Sequence, residues 1–242
     1  MKDFFVNLFK LILSILIFLF TEEYVYKALN SLGVSIQNKN FISLVIYVIM
    51  AVCIYIVYKD DINAAFHKYK YKLTTNLFYT VLSFIIVFIG MMIVDYLVSA
   101  LAKGFNIKYL GLNFINIFSY KFNFNFIVVL LRDIIIIPFI KSVIFILGIS
   151  NMINKKYSTF FSGLIYGLYM IYVLCKFNSS FGYMLINFIP YFALFGMLSF
   201  IFKKNKNISY STLILIFYEL FSSILIKNFM WGNYERKKRI YK

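Results

Sequence analysis

The chain has 242 residues, 62% of them hydrophobic and 14% charged, at a mean hydropathy of +0.83. An ordinary soluble domain carries roughly 25% charged residues, so this composition excludes one and marks an integral membrane protein. The formal charge of +16 does not point to nucleic acid, because the lysines sit in loops and tail between apolar runs, a distribution suited to anionic lipid headgroups.

Barrel strands would alternate in polarity and these runs do not. The expected fold is therefore an all-α bundle of transmembrane helices, about seven spans within a range of about six to eight. No polar stretch is long enough to form a separate soluble unit, so residues 1–242 read as a single membrane domain. Met1 to Phe20 looks at first like a secretory signal, but Thr21, Glu22 and Glu23 follow where a small-residue cleavage site would stand, which makes it a retained first span. TEEYVYKAL then reads as a short interfacial helix with an acidic pair in its first turn. Phe41 to Tyr58 is the second span, Lys59 to Asn76 a basic loop, and Leu77 to Leu101 the third span, which carries Asp95 near its far end. Ala102 to Asn125 is too polar to cross, and its YLGLNFINIFSY pattern suits an interfacial segment with rings at headgroup level.

The fourth span, Phe126 to Ser150, is the one around which the chain is organised: it carries Arg132, Asp133, Pro138 and Lys141 inside an apolar run. A charge at that depth costs at least ~2.5–3.5 kcal/mol, so these residues must face a protein interior, a cavity or an opposite charge. Thr159 to Cys175, Phe181 to Phe202 and Tyr210 to Ile226 complete the set, and the tail ends in YERKKRIYK. The loops favour an inside N-terminus, although seven spans then put the basic tail outside, against the positive-inside rule. Cys53 and Cys175 fall in or at the edge of apolar spans and read as small hydrophobes, with neither a disulfide nor a metal site expected. His67 sits among lysines without a second ligand at metal-binding spacing, and reads as a solvated residue. Gly163 and Gly167 form a small-xxx-small step for close helix packing. The 21 tyrosines and 30 phenylalanines read as core filler and interfacial belts.

From Pro138 onward the order of features resembles the CPBP family of intramembrane proteases, also called the Abi or CAAX-protease-like family, with residues 126–226 as the similar core. The family's first motif is P-x-x-E-E-x-x-F-R. Here Pro138 and Phe145 stand in register, while Lys141 and Ser142 replace the glutamate pair and Ile146 the arginine. In the second motif Tyr166 takes the aromatic place and Met170 that of the histidine. In the last, Leu215 falls at the histidine and Glu219 at the asparagine.

The resemblance implies carboxylates and imidazoles that activate water, in a metal-assisted or general-base role, and those groups are replaced here. It therefore implies a non-catalytic relative with no cofactor in the bacterial plasma membrane, a scaffold that binds a membrane or peptide partner in roles such as bacteriocin immunity, peptide maturation or export. The alternative is a transport component that binds a small molecule through the buried charges; an active enzyme comes third. Two pairings are expected from depth. Asp95 and Arg132 should meet, each about six residues and so ~9 Å from the same face, and Lys141 and Glu219 should form a buried ion pair ~14 Å from the opposite face, at ~1.5 Å per residue. Asp133 is the competing partner for Arg132, but consecutive helical residues point about 100° apart.

Overall fold

The computed structural model describes residues 2–32, 38–107, 109, 124–154, 156–176 and 179–223, and among these every regular element is helical. Helix α1 is Lys2–Ser31. It runs straight through the predicted boundary after Phe20. TEEYVYKAL holds no glycine or proline to stop a helix, and Glu23 pairs with Lys27 one turn on at 2.8 Å. Helix α2, Lys39–Val57, starts where the Asn38 side chain accepts a hydrogen bond from the Phe41 backbone N–H.

The stretch predicted as a basic loop is mostly helix α3, Lys59–Tyr71. Asp60 and Asp61 stand in its first turn and Lys68 and Lys70 in its last, matching the helix dipole, while Ala65 and Tyr69 bury one face four residues apart. His67 is exposed on its outer side. Helix α4 is Leu73–Gly104. Most of the predicted interfacial segment, residues 110–123, lies outside the described residues.

The organising helix, α5, covers residues 124–152 as α segments Phe124–Leu130, Ile137–Ser142 and Ile149–Met152, joined by π-helical turns Leu131–Ile136 and Val143–Gly148. Pro138 falls just after the first π turn. A proline inside a helix lacks a donor and crowds the preceding turn, and a widened turn is where a helix absorbs that defect. Helices α6, Ser158–Lys176, α7, Phe181–Asn205, and α8, Ile208–Ser223, follow.

Five helices, α1, α2, α4, α6 and α7, are long and apolar enough to cross a membrane. Between 17% and 39% of their apolar windows is buried in the protein. The remainder, such as Ile86, Ile89, Met92 and Ile93 on α4, faces outward, and an apolar surface of that extent is at home only against lipid. Helix α5 differs: Ile140, Val143, Ile144, Phe145, Ile146 and Ile149 are almost wholly inaccessible, so its second half is enclosed by other helices, while Ile127, Leu131 and Ile135 on its first half face outward. The main core draws residues from every helix named above.

Side-chain ties define the two ends. At one, Asn7 donates to the Asn151 carbonyl, Asn151 to Asp61, and Asn207 to the Ala65 carbonyl, at 3.0, 3.0 and 2.9 Å. At the other, Lys176 pairs with Glu23 at 2.8 Å and Tyr26 donates to the Lys39 carbonyl at 2.9 Å. The first end carries Lys59, Lys68, Lys70, Lys72, Lys203, Lys204 and Lys206 and is the more basic of the two among the described residues.

The glycine step on α6 packs inside the protein, against α7. A β-carbon at Gly163 would stand 2.5 Å from the Phe192 carbonyl oxygen, and one at Gly167 the same distance from the Phe188 ring. Gly163→Ala should therefore destabilise by ~1–3 kcal/mol, because backbone cannot swing aside as a side chain can. Gly104→Ala, which meets nothing within 4 Å, should be neutral or stabilising by up to about 1 kcal/mol. Thermal unfolding of the two variants in one detergent distinguishes them.

Candidate functional site

The π turn Leu131–Ile136 sets Arg132 and Asp133 side by side. Arg132 Nε donates to Asp133 Oδ1 at 2.7 Å and Nη2 to Oδ2 at 2.9 Å, a two-pronged pairing in which Asp133 is buried and Arg132 partly so. The expected Asp95–Arg132 contact is not formed. Asp95, itself only partly buried, accepts from the Tyr109 hydroxyl at 2.6 Å. Burial, and then this carboxylate, pushes the Tyr109 phenol well above its ordinary value and keeps it a donor.

Equal depth fixes height in the membrane but not position around the bundle. Helix α4 packs on α7, whereas the π turn with Arg132 packs on α2. Sequence neighbours can pair here because a turn closed by i→i+5 bonds rotates less per residue than an α turn, and the long arginine stem closes the remaining angle.

Further along α5, Ser142 Oγ lies 2.6 Å from Thr212 Oγ1 and donates to the Phe139 carbonyl, which ties α5 to α8. Ile146, Tyr166 and Leu215 are buried in the one core, with Met170 packed against it. Lys141 and Glu219 are not joined by an ion pair. The Lys141 ammonium instead lies over the Tyr166 ring, 5.8 Å from its centroid, and Glu219 interacts electrostatically with Lys141, Asp133 and Tyr166. Tyr166 is held there by stacking on Phe195 at 3.5 Å and by the edge of Phe145 at 5.0 Å.

From Tyr166 an aromatic wall runs outward. Tyr169 lies 5.6 Å from Tyr166 and 5.4 Å from both Phe145 and Phe18. Phe18 and Tyr169 then line a cleft of about 230 Å³ with Glu22, Tyr47, Tyr172 and Lys176. Glu22 Oε1 accepts from the Ser43 hydroxyl at 2.7 Å and Oε2 from the Tyr47 hydroxyl at 2.9 Å, and among the described residues no cation stands within ion-pair distance of it. Its neighbour Glu23 is shared by Lys27 and Lys176. This cleft was missed in the sequence because Glu22 was assigned to a separate interfacial helix; the usable signal was an uninterrupted helical stretch that carries acids on past an apolar run.

No family model, no curated protein and no solved structure matches the chain. Among the described residues no three His, Cys, Asp or Glu side chains converge as a metal-ligand set. What the arrangement offers is recognition chemistry: a hydroxyl-bound carboxylate, aromatic faces and an ammonium, connected to an interior lysine and glutamate.

Removing one member of the Arg132–Asp133 pair should be costly. Asp133→Leu or Arg132→Met should destabilise by ~3–5 kcal/mol, since either leaves the other charge without its partner, while the double variant Arg132→Met/Asp133→Leu should recover much of that loss. A double-mutant cycle in detergent measures the coupling; strictly additive losses would contradict the pairing.

Proposed function

We propose that this chain is an integral membrane protein of the CPBP type whose former catalytic centre now serves binding, a scaffold for a membrane or peptide partner in a bacterial plasma membrane. The observation that supports this is the position of Tyr166. Its ring, stacked on Phe195, lies under the Lys141 ammonium, at a place where the resemblance puts an acid, and it supplies an aromatic binding surface there. A lysine, a serine and aliphatic or thioether side chains at the remaining positions offer no general base of the family's kind. The cleft at Glu22, Tyr47, Tyr169 and Lys176 is the mouth of that centre, with the charge and aromatic surface to hold a peptide segment.

In this reading α5 and α8 join the five longer helices as spans, giving seven. The lysine-rich end, which includes the N-terminus of α1, faces the cytoplasm by the positive-inside rule.

A photo-crosslinking amino acid at Tyr172, on the rim of the cleft, tests the proposal in native membranes. It should capture one discrete polypeptide, with the yield lowered by Glu22→Gln, and the same probe at lipid-facing Ile86 should capture none. Thermal stabilisation by a small molecule, with no polypeptide captured, would favour the transport reading instead. Peptide cleavage that disappears in Glu219→Gln would defeat the non-catalytic one.

A further inference from the structure

At the lysine-rich end, opposite the cleft just described, a pocket of about 500 Å³ lies among α3, the start of α4, the end of α7 and the start of α8. Lys68, Lys72 and Lys204 line it, together with Asn76, Asn207 and Tyr210. No acidic residue lines it, and none of the three lysines is in an ion pair among the described residues. Its floor is a fixed hydrogen-bond network. Tyr210 donates to Asn76 Oδ1 at 2.6 Å, Asn76 donates to the Tyr69 carbonyl at 2.7 Å, and the Tyr69 and Thr80 hydroxyls meet at 2.8 Å. Asn207 is held separately by its bond to the Ala65 carbonyl.

Three like charges gathered over a rigid polar floor repel one another unless an anion sits among them. The end of α7 adds a second sign of the same kind. Lys206 caps that helix in the left-handed region, at φ 50°, a place where glycine or asparagine is the usual residue. This residue lines an adjoining recess that shares Lys68 with the pocket and also holds Asp61.

The second, independent feature is what the pocket leads into. Lys204 and Asn205 also line a groove of about 420 Å³ that descends between α4 and α7. Its walls are Ile86, Val87, Met197, Phe200 and Ile201, and Gly196 leaves space at its back. Headgroup pocket and apolar groove therefore share Lys204 and Asn205, and the groove is lined by Ile86, an outward-facing residue of α4.

A soluble anion would use only the upper half of this site. A neutral lipid would use only the lower. We propose that the site binds an anionic phospholipid, its phosphate headgroup among Lys68, Lys72 and Lys204 and one acyl chain in the groove along α4 and α7. This differs from the general attraction of a basic surface for acidic membranes, in that it assigns one lipid to one place and couples charge to shape.

Full-length protein, purified in a neutral detergent, tests this by native mass spectrometry and thermal unfolding with phosphatidylglycerol against phosphatidylcholine. Phosphatidylglycerol should be retained and should raise the melting temperature, and phosphatidylcholine should do neither. Lys68→Gln/Lys72→Gln/Lys204→Gln should weaken phosphatidylglycerol binding about 10-fold or more, given the contribution expected of each lysine near an anionic surface. Lys59→Gln/Lys70→Gln/Lys203→Gln removes the same charge from the same end outside the pocket and should change binding by less than about 3-fold by the same reasoning. Ile86→Trp, on an outward-facing position, should block the groove and weaken lipid binding without lowering the melting temperature of the lipid-free protein. Equal loss in the two triple variants would overturn the proposal in favour of diffuse surface attraction. Inorganic phosphate stabilising the protein as well as phosphatidylglycerol does, with Ile86→Trp indifferent, would overturn it in favour of a soluble-anion site.

Discussion

Backbone groups in a membrane interior have no water to fall back on, and that requirement governs this structure. Helix α5 departs from regular α geometry twice and contains Pro138, so it carries amide and carbonyl groups whose bonding is weaker than in an ideal helix. Facing lipid, such a helix would be penalised at each irregular turn. The second π turn lies in the stretch from Ser142 to Ile149, which is shut off from solvent, and the first keeps Asp133 and Ile134 buried while Leu131 and Ile135 face outward, so the helix can keep those turns and use them. The Arg132–Asp133 fork is one product of the first π turn. The presentation of Lys141 to Tyr166 and of Ser142 to Thr212 comes from the short α segment between the two.

Enclosure of α5 in turn dictates the composition of its neighbours. Helices α1, α2, α6 and α7 must be apolar on the side that meets α5 and apolar again on the side that meets lipid, and α4 is apolar on the side that meets α7, which accounts for a chain that is 62% hydrophobic without a strongly amphipathic long helix. Polar side chains survive in the interior where they reach a partner: Ser142 on Thr212, Asn187 on the Tyr183 carbonyl, Ser211 on the Leu198 carbonyl. Glycine provides a very close approach between α6 and α7, where Gly163 comes nearer to the Phe192 carbonyl than a side chain would permit.

The long apolar helices and the central place of residues 126–150 were legible from the sequence, because an uninterrupted apolar run of that length has few structural uses. Helix α3 was not. Its two buried residues, Ala65 and Tyr69, are too few to show against a run of lysines, and its helicity rests on end charges and on docking to distant side chains. The charged residues were legible as special and illegible as pairs. Counting residues gave Asp95 and Arg132 a common depth, but which helices adjoin is set by packing across the bundle, and Tyr109, the residue Asp95 in fact meets, belonged to a segment read only as interfacial. Lys141 and Glu219 were placed in the same region by the same counting; what it could not give was that the Lys141 ammonium lies over the Tyr166 ring, whose orientation depends on Phe195 and Phe145.

The bond from Asn207 to the Ala65 carbonyl joins residues 142 positions apart, and Tyr210 and Asn76 are linked over 134. A ribosome emits roughly 5–20 residues per second, so α3 and the first turn of α4 leave the exit tunnel about 7–28 seconds before the residues that complete their hydrogen bonding exist. In the same way α5 is made before α6, α7 and α8, which pack on it. Order of synthesis thus leaves the most irregular helix waiting for part of its packing, and the segment that begins α8 is the one that ties α3 and α4 in place.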